Sequence, residues 1–166
     1  KKGCLWGACG LQGQVLASQE GTVQALRFMR ELAEKEGAGL SLQIALFRAR
    51  FSSGQTEQAL VQAKSLAAAQ PDNLALRFIL ATAHAANGDS STGETLLTAL
   101  LEEDPGRARV WGQLYRLQRV QGDDAAASQT LRDGLAVDPD NRDLLWLQAS
   151  EFETAGDIDG AISNYE

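Results

Sequence analysis

The sequence predicts an all-α fold built of repeated antiparallel helix hairpins, and three observations predict it. The chain's only prolines, Pro71, Pro105 and Pro139, recur every 34 residues. Gly54, Gly88, Gly122 and Gly156 form a second ladder with the same step, each 17 residues before the next proline, the last of which would fall beyond Glu166. Between these marks run apolar-periodic segments of about a dozen residues at helical spacing, and no segment carries the two-residue period of a strand. A fixed period of this length marks one supersecondary unit copied along the chain, which buries its apolar face only by stacking on its neighbours.

Bulk properties agree. At 166 residues the chain is long enough for one ordinary domain or an array of small repeats. Its 44% hydrophobic and 22% charged residues are those of a soluble globular protein. A formal charge of -7 argues against a general nucleic-acid or anionic-membrane binder. No stretch approaches the roughly 18 apolar residues of a membrane span, and "KKGCLWGACG" lacks the apolar core of a secretory signal. Direct membrane insertion by this segment is therefore not expected. Heavy use of Ala and Gly, with Arg exceeding Lys, points to a bacterial source. The compartment stays open between cytoplasm and bacterial periplasm or envelope.

Taken in order, residues 1–39 read as a degenerate or capping N-terminal helical repeat. "TVQALRFMRELAEKEG" is a helix that sets Ala25, Met29, Leu32 and Ala33 at second-helix positions of a unit starting near Trp6. The first helix of that unit would hold Gly7, Gly10 and Gly13, each costing about 1 kcal/mol against alanine. Cys4 and Cys9 in this stretch form neither a disulfide framework nor a four-ligand zinc pattern. They read as ordinary free thiols, the lipid-modified alternative lacking a lipobox.

Residues 40–166 read as the array proper, with units starting at Leu40, Leu74, Ala108 and Arg142. In each, a first helix ends at the glycine of "SGQ", "NGD", "QGD" or "AGD", where a left-handed or crowded backbone is needed and the next residues cap a second helix. Proline after Gln or Asp ends the second helix, because the residue before it is pushed out of the helical region. Asn73 and Asp140 suit the turn that follows. The last unit stops at Glu166, partway through its second helix, which leaves Ile158, Ala161, Ile162 and Tyr165 as an uncovered apolar stripe. That stripe suggests a longer array or self-association into a homo-oligomer.

The third unit carries Trp111, Leu114, Leu117, Gly122, Ala127, Leu131, Leu135 and Pro139 where a known pattern has Trp, Leu, Gly and Tyr, then Ala and Phe, then Pro. On these residues the chain resembles the tetratricopeptide-repeat family. Tyr115 and Phe47 stand where that family has a small residue, Ala81 and Ala149 keep it, and Gly93 replaces the second-helix alanine that Ala59, Ala127 and Ala161 retain. The resemblance implies a right-handed superhelical solenoid whose concave face, lined by first helices, holds a peptide of a partner protein. Carried over unit by unit, that face comprises Ile44, Arg48 and Phe51, then Phe78 and Thr82, then Arg109, Gly112, Arg116 and Arg119, then Trp146 and Ser150. Arginine presents forked donors to carboxylates and aromatic rings supply contact area at low entropic cost, so the implied partner is acidic or mixed acidic-apolar. For any one arginine, simple solvation or pairing with a neighbouring acid is an equal alternative. The lysine-asparagine clamp that some family members use for chaperone tails is not matched, since Ile44, Arg48, Ile79, Arg109 and Gln113 occupy its positions.

No chemistry competes with this reading. The single histidine, His84, sits among alanines and reads as a packing residue. Glu102-Glu103-Asp104, Asp123-Asp124 and Asp138-Pro139-Asp140 fall at helix ends, where carboxylates cap or are solvated. "DPDNRD" lacks the glycine and glutamate of a calcium loop, and the N-terminal glycines form no phosphate loop. The expectation is a non-catalytic scaffold without metal or cofactor. Its alternatives are the substrate-docking array of an enzyme whose catalytic domain lies elsewhere, and a self-association module.

Overall fold

The computed structural model describes residues 22–33 and 39–165. The first helix expected near Trp6 and both cysteines lie outside the described residues. The chain divides into two compact units, residues 1–71 and 72–166. The first holds α1 (Thr22–Ala33), α2 (Leu40–Ser52) and α3 (Thr56–Ala69). The second holds α4 (Leu74–Ala86), α5 (Ser90–Glu103), α6 (Ala108–Gln121), α7 (Asp124–Val137), α8 (Arg142–Ala155) and α9 (Ile158–Tyr165). Every described element is helical, and the first helices begin at Leu40, Leu74, Ala108 and Arg142, in the register of the proline ladder.

The ladder residues act by backbone geometry. Gly54, Gly88, Gly122 and Gly156 have φ of 75°, 88°, 81° and 79°, a region in which side chains are strained. This conformation lets the next residue donate its N–H to a carbonyl five residues back: Gln55 to Arg50, Asp89 to His84, Asp123 to Gln118 and Asp157 to Phe152, at 2.9, 3.0, 3.0 and 2.8 Å. In three hairpins the same aspartate then caps the following helix, accepting from the N–H of Thr92, Ala126 or Gly160. At the other end, Gln70, Asp104 and Asp138 precede the prolines with φ near -140° (-142°, -144° and -136°), as steric conflict with the proline ring requires. Asn73 and Asn141 do more than turn the chain. Their side chains cap α4 and α8 by accepting from Ala75 and Leu76, and from Leu144.

In the first unit Met29 of α1, 1% exposed, packs on Leu46 of α2, with Ala33 and Ala49 beside them. The α2–α3 hairpin is bolted by polar groups: Arg50 donates to Gln62 Oε1 at 2.8 Å, and Gln62 donates to the Gln43 carbonyl at 2.8 Å. Among the described residues, two apolar clusters join the helices of the second unit. Ala81, Leu97, Leu100, Leu101, Val110, Leu114 and Leu117 join α4, α5 and α6. Tyr115, Ala127, Leu131, Leu144 and Leu147 join α6, α7 and α8. Trp111 packs against both clusters, so α6 is tied to the helices on either side of it by the residue that opens its repeat pattern.

The departures from the family pattern have local reasons. A Cβ at Gly93 would stand 3.1 Å from the Ala81 carbonyl oxygen and 3.1 Å from Ala85 Cβ, so α4 and α5 approach with almost no side chain between them. In the next hairpin Tyr115 is accommodated at the α6–α8 contact, where it is 7% exposed. Burial pushes its phenol above the ordinary value; the Glu151 charge and hydrogen bond add to this, and the Arg119 charge opposes it.

Candidate peptide-binding face

Within residues 72–166, α6 packs against both α4 and α8, whereas no comparable packing joins α5 to α7 among the described residues. The first helices therefore form the inner, closer layer of this unit and the second helices the outer, more open one. On the inner layer, α6 reads "ARVWGQLYRLQRVQ", with three arginines and no acid. Arg109, Gly112 and Arg116 follow at spacings of three and four, hence on one face.

Arg109 and Phe78 come together: the guanidinium carbon lies 5.2 Å from the ring centroid, a cation–π contact between α6 and α4. Stacking leaves the edge of the guanidinium free for a carboxylate. Gly112 is buried between the two arginines, and a Cβ there would meet Arg116 Nη1 at 3.5 Å and Leu147 Cδ1 at 3.6 Å. Arg116 is exposed and folds back along its own helix, donating to the Gly112 carbonyl at 3.4 Å. Thr82 is half-buried and spends its hydroxyl on the Phe78 carbonyl at 2.8 Å. Trp146, on α8, is 56% exposed.

Arg119 belongs to a different environment. It pairs with Asp124 at 2.9 Å, across the turn between α6 and α7, and its charge reaches Tyr115. Ser150 is half-buried on α8, and the first unit carries the remaining three positions on α2, where Ile44 is half-buried. Arg48 is exposed there, while Phe51 is half-buried and packs at 5.7 Å against Phe47.

His84 is half-buried at the end of α4, with Nδ1 2.9 Å from Asp89 Oδ2. Asp89 is held below the usual carboxylate range by its hydrogen bonds to Thr92 and His84. Since Asp89 is also the cap of α5, the pair is bound up with closing a hairpin.

The polar bolts across the hairpins escaped sequence reasoning. Arg50 and Gln62 in one unit, and Gln118 and Thr130 in another, occupy the same two repeat positions, 12 residues apart. The available signal was a polar residue at both positions; in the intervening unit they are His84 and Leu96, and no such bond forms.

Comparisons with known proteins fit this architecture. The thermophilic tetratricopeptide-repeat protein TTC0263 of Thermus thermophilus superposes with a TM-score of 0.73 at 19% identity, over 97% of this chain and 88% of that one. A MamA crystal structure gives 0.64 at 13% identity, over 92% and 90%. MamA from Desulfovibrio magneticus RS-1, residue 41 to its end, gives 0.66 at 13% identity, over 99% and 93%. At these identities the likeness concerns the fold alone. No curated protein matches the sequence significantly. The tetratricopeptide-repeat sequence profile, however, matches residues 50–112 and 85–150, together more than half of the chain. With the 34-residue register, the left-handed glycines and the hairpin packing already described, that match settles the family: the chain belongs to the tetratricopeptide-repeat proteins.

Proposed function

We propose that this protein-interaction scaffold holds an acidic or mixed acidic-apolar segment of a partner protein on the inner face of residues 72–166. The observation that carries the proposal is the run of three arginines without an acid along α6, in a chain of net charge -7, with Arg109 already posed over Phe78. A carboxylate of the partner meets the exposed edge of Arg109 and the head of Arg116. Phe78 and Trp146 supply apolar contact on either side, from α4 and α8. Arg119 contributes less than its sequence position suggests, because Asp124 already neutralises it. Arg48 and Phe51 offer the same chemistry on α2 of the first unit.

The test is affinity capture with the whole chain followed by mass spectrometry, repeated with the Arg109→Glu/Arg116→Glu double variant. Both side chains are exposed, so the helical circular-dichroism signal should persist. Replacing attraction by repulsion at two contacts should reduce capture of the specific partner roughly tenfold or more. Equal capture by the variant would sink the reading.

A further inference from the structure

A second surface lies on the outer layer, where the separation of α5 from α7 leaves a cleft of about 590 Å³. Leu101, Leu114 and Trp111 line it together with Val137, which is 47% exposed. Glu102 and Asp133 stand on its walls, and none of its lining residues is basic. Among the described residues neither carboxylate meets a cation: Glu102 makes no hydrogen bond or ion pair, and Asp133 accepts only from the Gln129 amide at 2.7 Å. Gln118 and Thr130 also border the cleft, but they are occupied by each other at 2.7 Å and by Glu94 at 2.9 Å.

We infer that this outer cleft docks a partner segment bearing a lysine or arginine next to an apolar residue. Three features of the cleft favour a cation, and each has a separate cause. The two carboxylates attract it by charge. The cleft lies at the C-terminal ends of α5 and α7, where Glu102, Ala136 and Val137 fall in the last turns and the helix dipoles are negative. Trp111 offers an aromatic face, and its indole N–H is fixed by donating to the Pro105 carbonyl at 2.8 Å, which holds the ring in place. The aliphatic stem of a lysine or arginine would cover Trp111 and Ala136, the one half-buried and the other exposed, while its head reaches the rim, and the neighbouring apolar residue would cover Val137. Charge is segregated to match: α5 carries Glu94, Glu102 and Glu103 with no base, against the three arginines of α6.

The probe is a fluorescein-labelled Leu-Lys-Leu-Leu-Lys-Leu peptide, compared with the same peptide carrying glutamate for lysine, each titrated into the whole chain. The lysine peptide should bind and shift the Trp111 indole and Val137 amide signals in a proton–nitrogen spectrum, and the glutamate peptide should not. Glu102→Gln/Asp133→Asn should weaken the lysine peptide roughly fivefold to tenfold, as expected for the loss of two partly exposed ion pairs. Asp140→Asn/Asp143→Asn removes the same charge elsewhere and should leave binding unchanged. Equal weakening by the two double variants, equal binding of both peptides, or shifts confined to Trp146 would each overturn the assignment.

Discussion

At the scale of single residues, Asn141 shows how one side chain decides where a helix begins. Its Oδ1 accepts from the Leu144 N–H at 3.3 Å, and its amide donates to Asp138 at 2.8 Å, so it joins the end of α7 to the start of α8. Asn73 occupies the same repeat position and caps α4 in the same way. Gly39 and Arg107 hold that position in the other units; neither gives a side-chain cap, and Arg107 turns to Asp104 instead. Asn141→Ala should therefore lower the unfolding free energy by about 1 kcal/mol, a change read from the urea midpoint at constant slope. A midpoint equal to that of the parent chain would show that water replaces the cap without loss. The proline ladder predicted that a boundary lies here. It did not show which of the polar residues beside each proline would do the capping, because Asp, Asn and Ser all suit that role.

At the scale of the element, the hairpins are closed by two devices, a polar bolt in two copies and close backbone approach in a third. Gln118 and Thr130, 6% and 7% exposed, bridge α6 to α7 at 2.7 Å, and Gln118 also reaches Glu94. Arg50 and Gln62 bridge α2 to α3. In the α4–α5 hairpin the small pair Ala81 and Gly93 substitutes close backbone approach for a bolt. Thr130→Val keeps the shape and removes the donor, leaving the Gln118 carbonyl oxygen buried without it, at a cost of about 1–3 kcal/mol. Gln118→Leu/Thr130→Val removes both partners and should recover most of that loss. The discriminating measurement is the coupling energy of the double-mutant cycle; simple additivity would mean that the two side chains do not act as a unit. The register and ends of these helices could be read from apolar spacing and from Gly and Pro. The bolts could not, because a polar residue at a helical position looks solvated until the partner helix is placed against it.

At the scale of the whole molecule, the 34-residue period made the fold class and the start of each first helix legible, while the candidate site was only partly so. Arg109 and Phe78, assigned to one face from different units without any contact being predicted, are in contact; Arg119, expected on the same face, is drawn to Asp124 by a turn that no spacing rule describes. The outer cleft was invisible in sequence, since its opening depends on how far apart neighbouring second helices stand. Repeat architecture also governs how stability is shared. In a stack of repeats each hairpin contacts only its neighbours, so a defect should be felt locally instead of uniformly. Leu131 is 1% exposed and sits in the cluster that joins α6, α7 and α8. Leu131→Ala removes buried volume there and should cost about 2–5 kcal/mol. Hydrogen exchange under native conditions should then accelerate most in α6, α7 and α8, with α2 and α3 close to their parent rates. Uniform acceleration along the chain would instead mean that all the repeats unfold as a single cooperative block, and the nearest-neighbour description would fail for this protein.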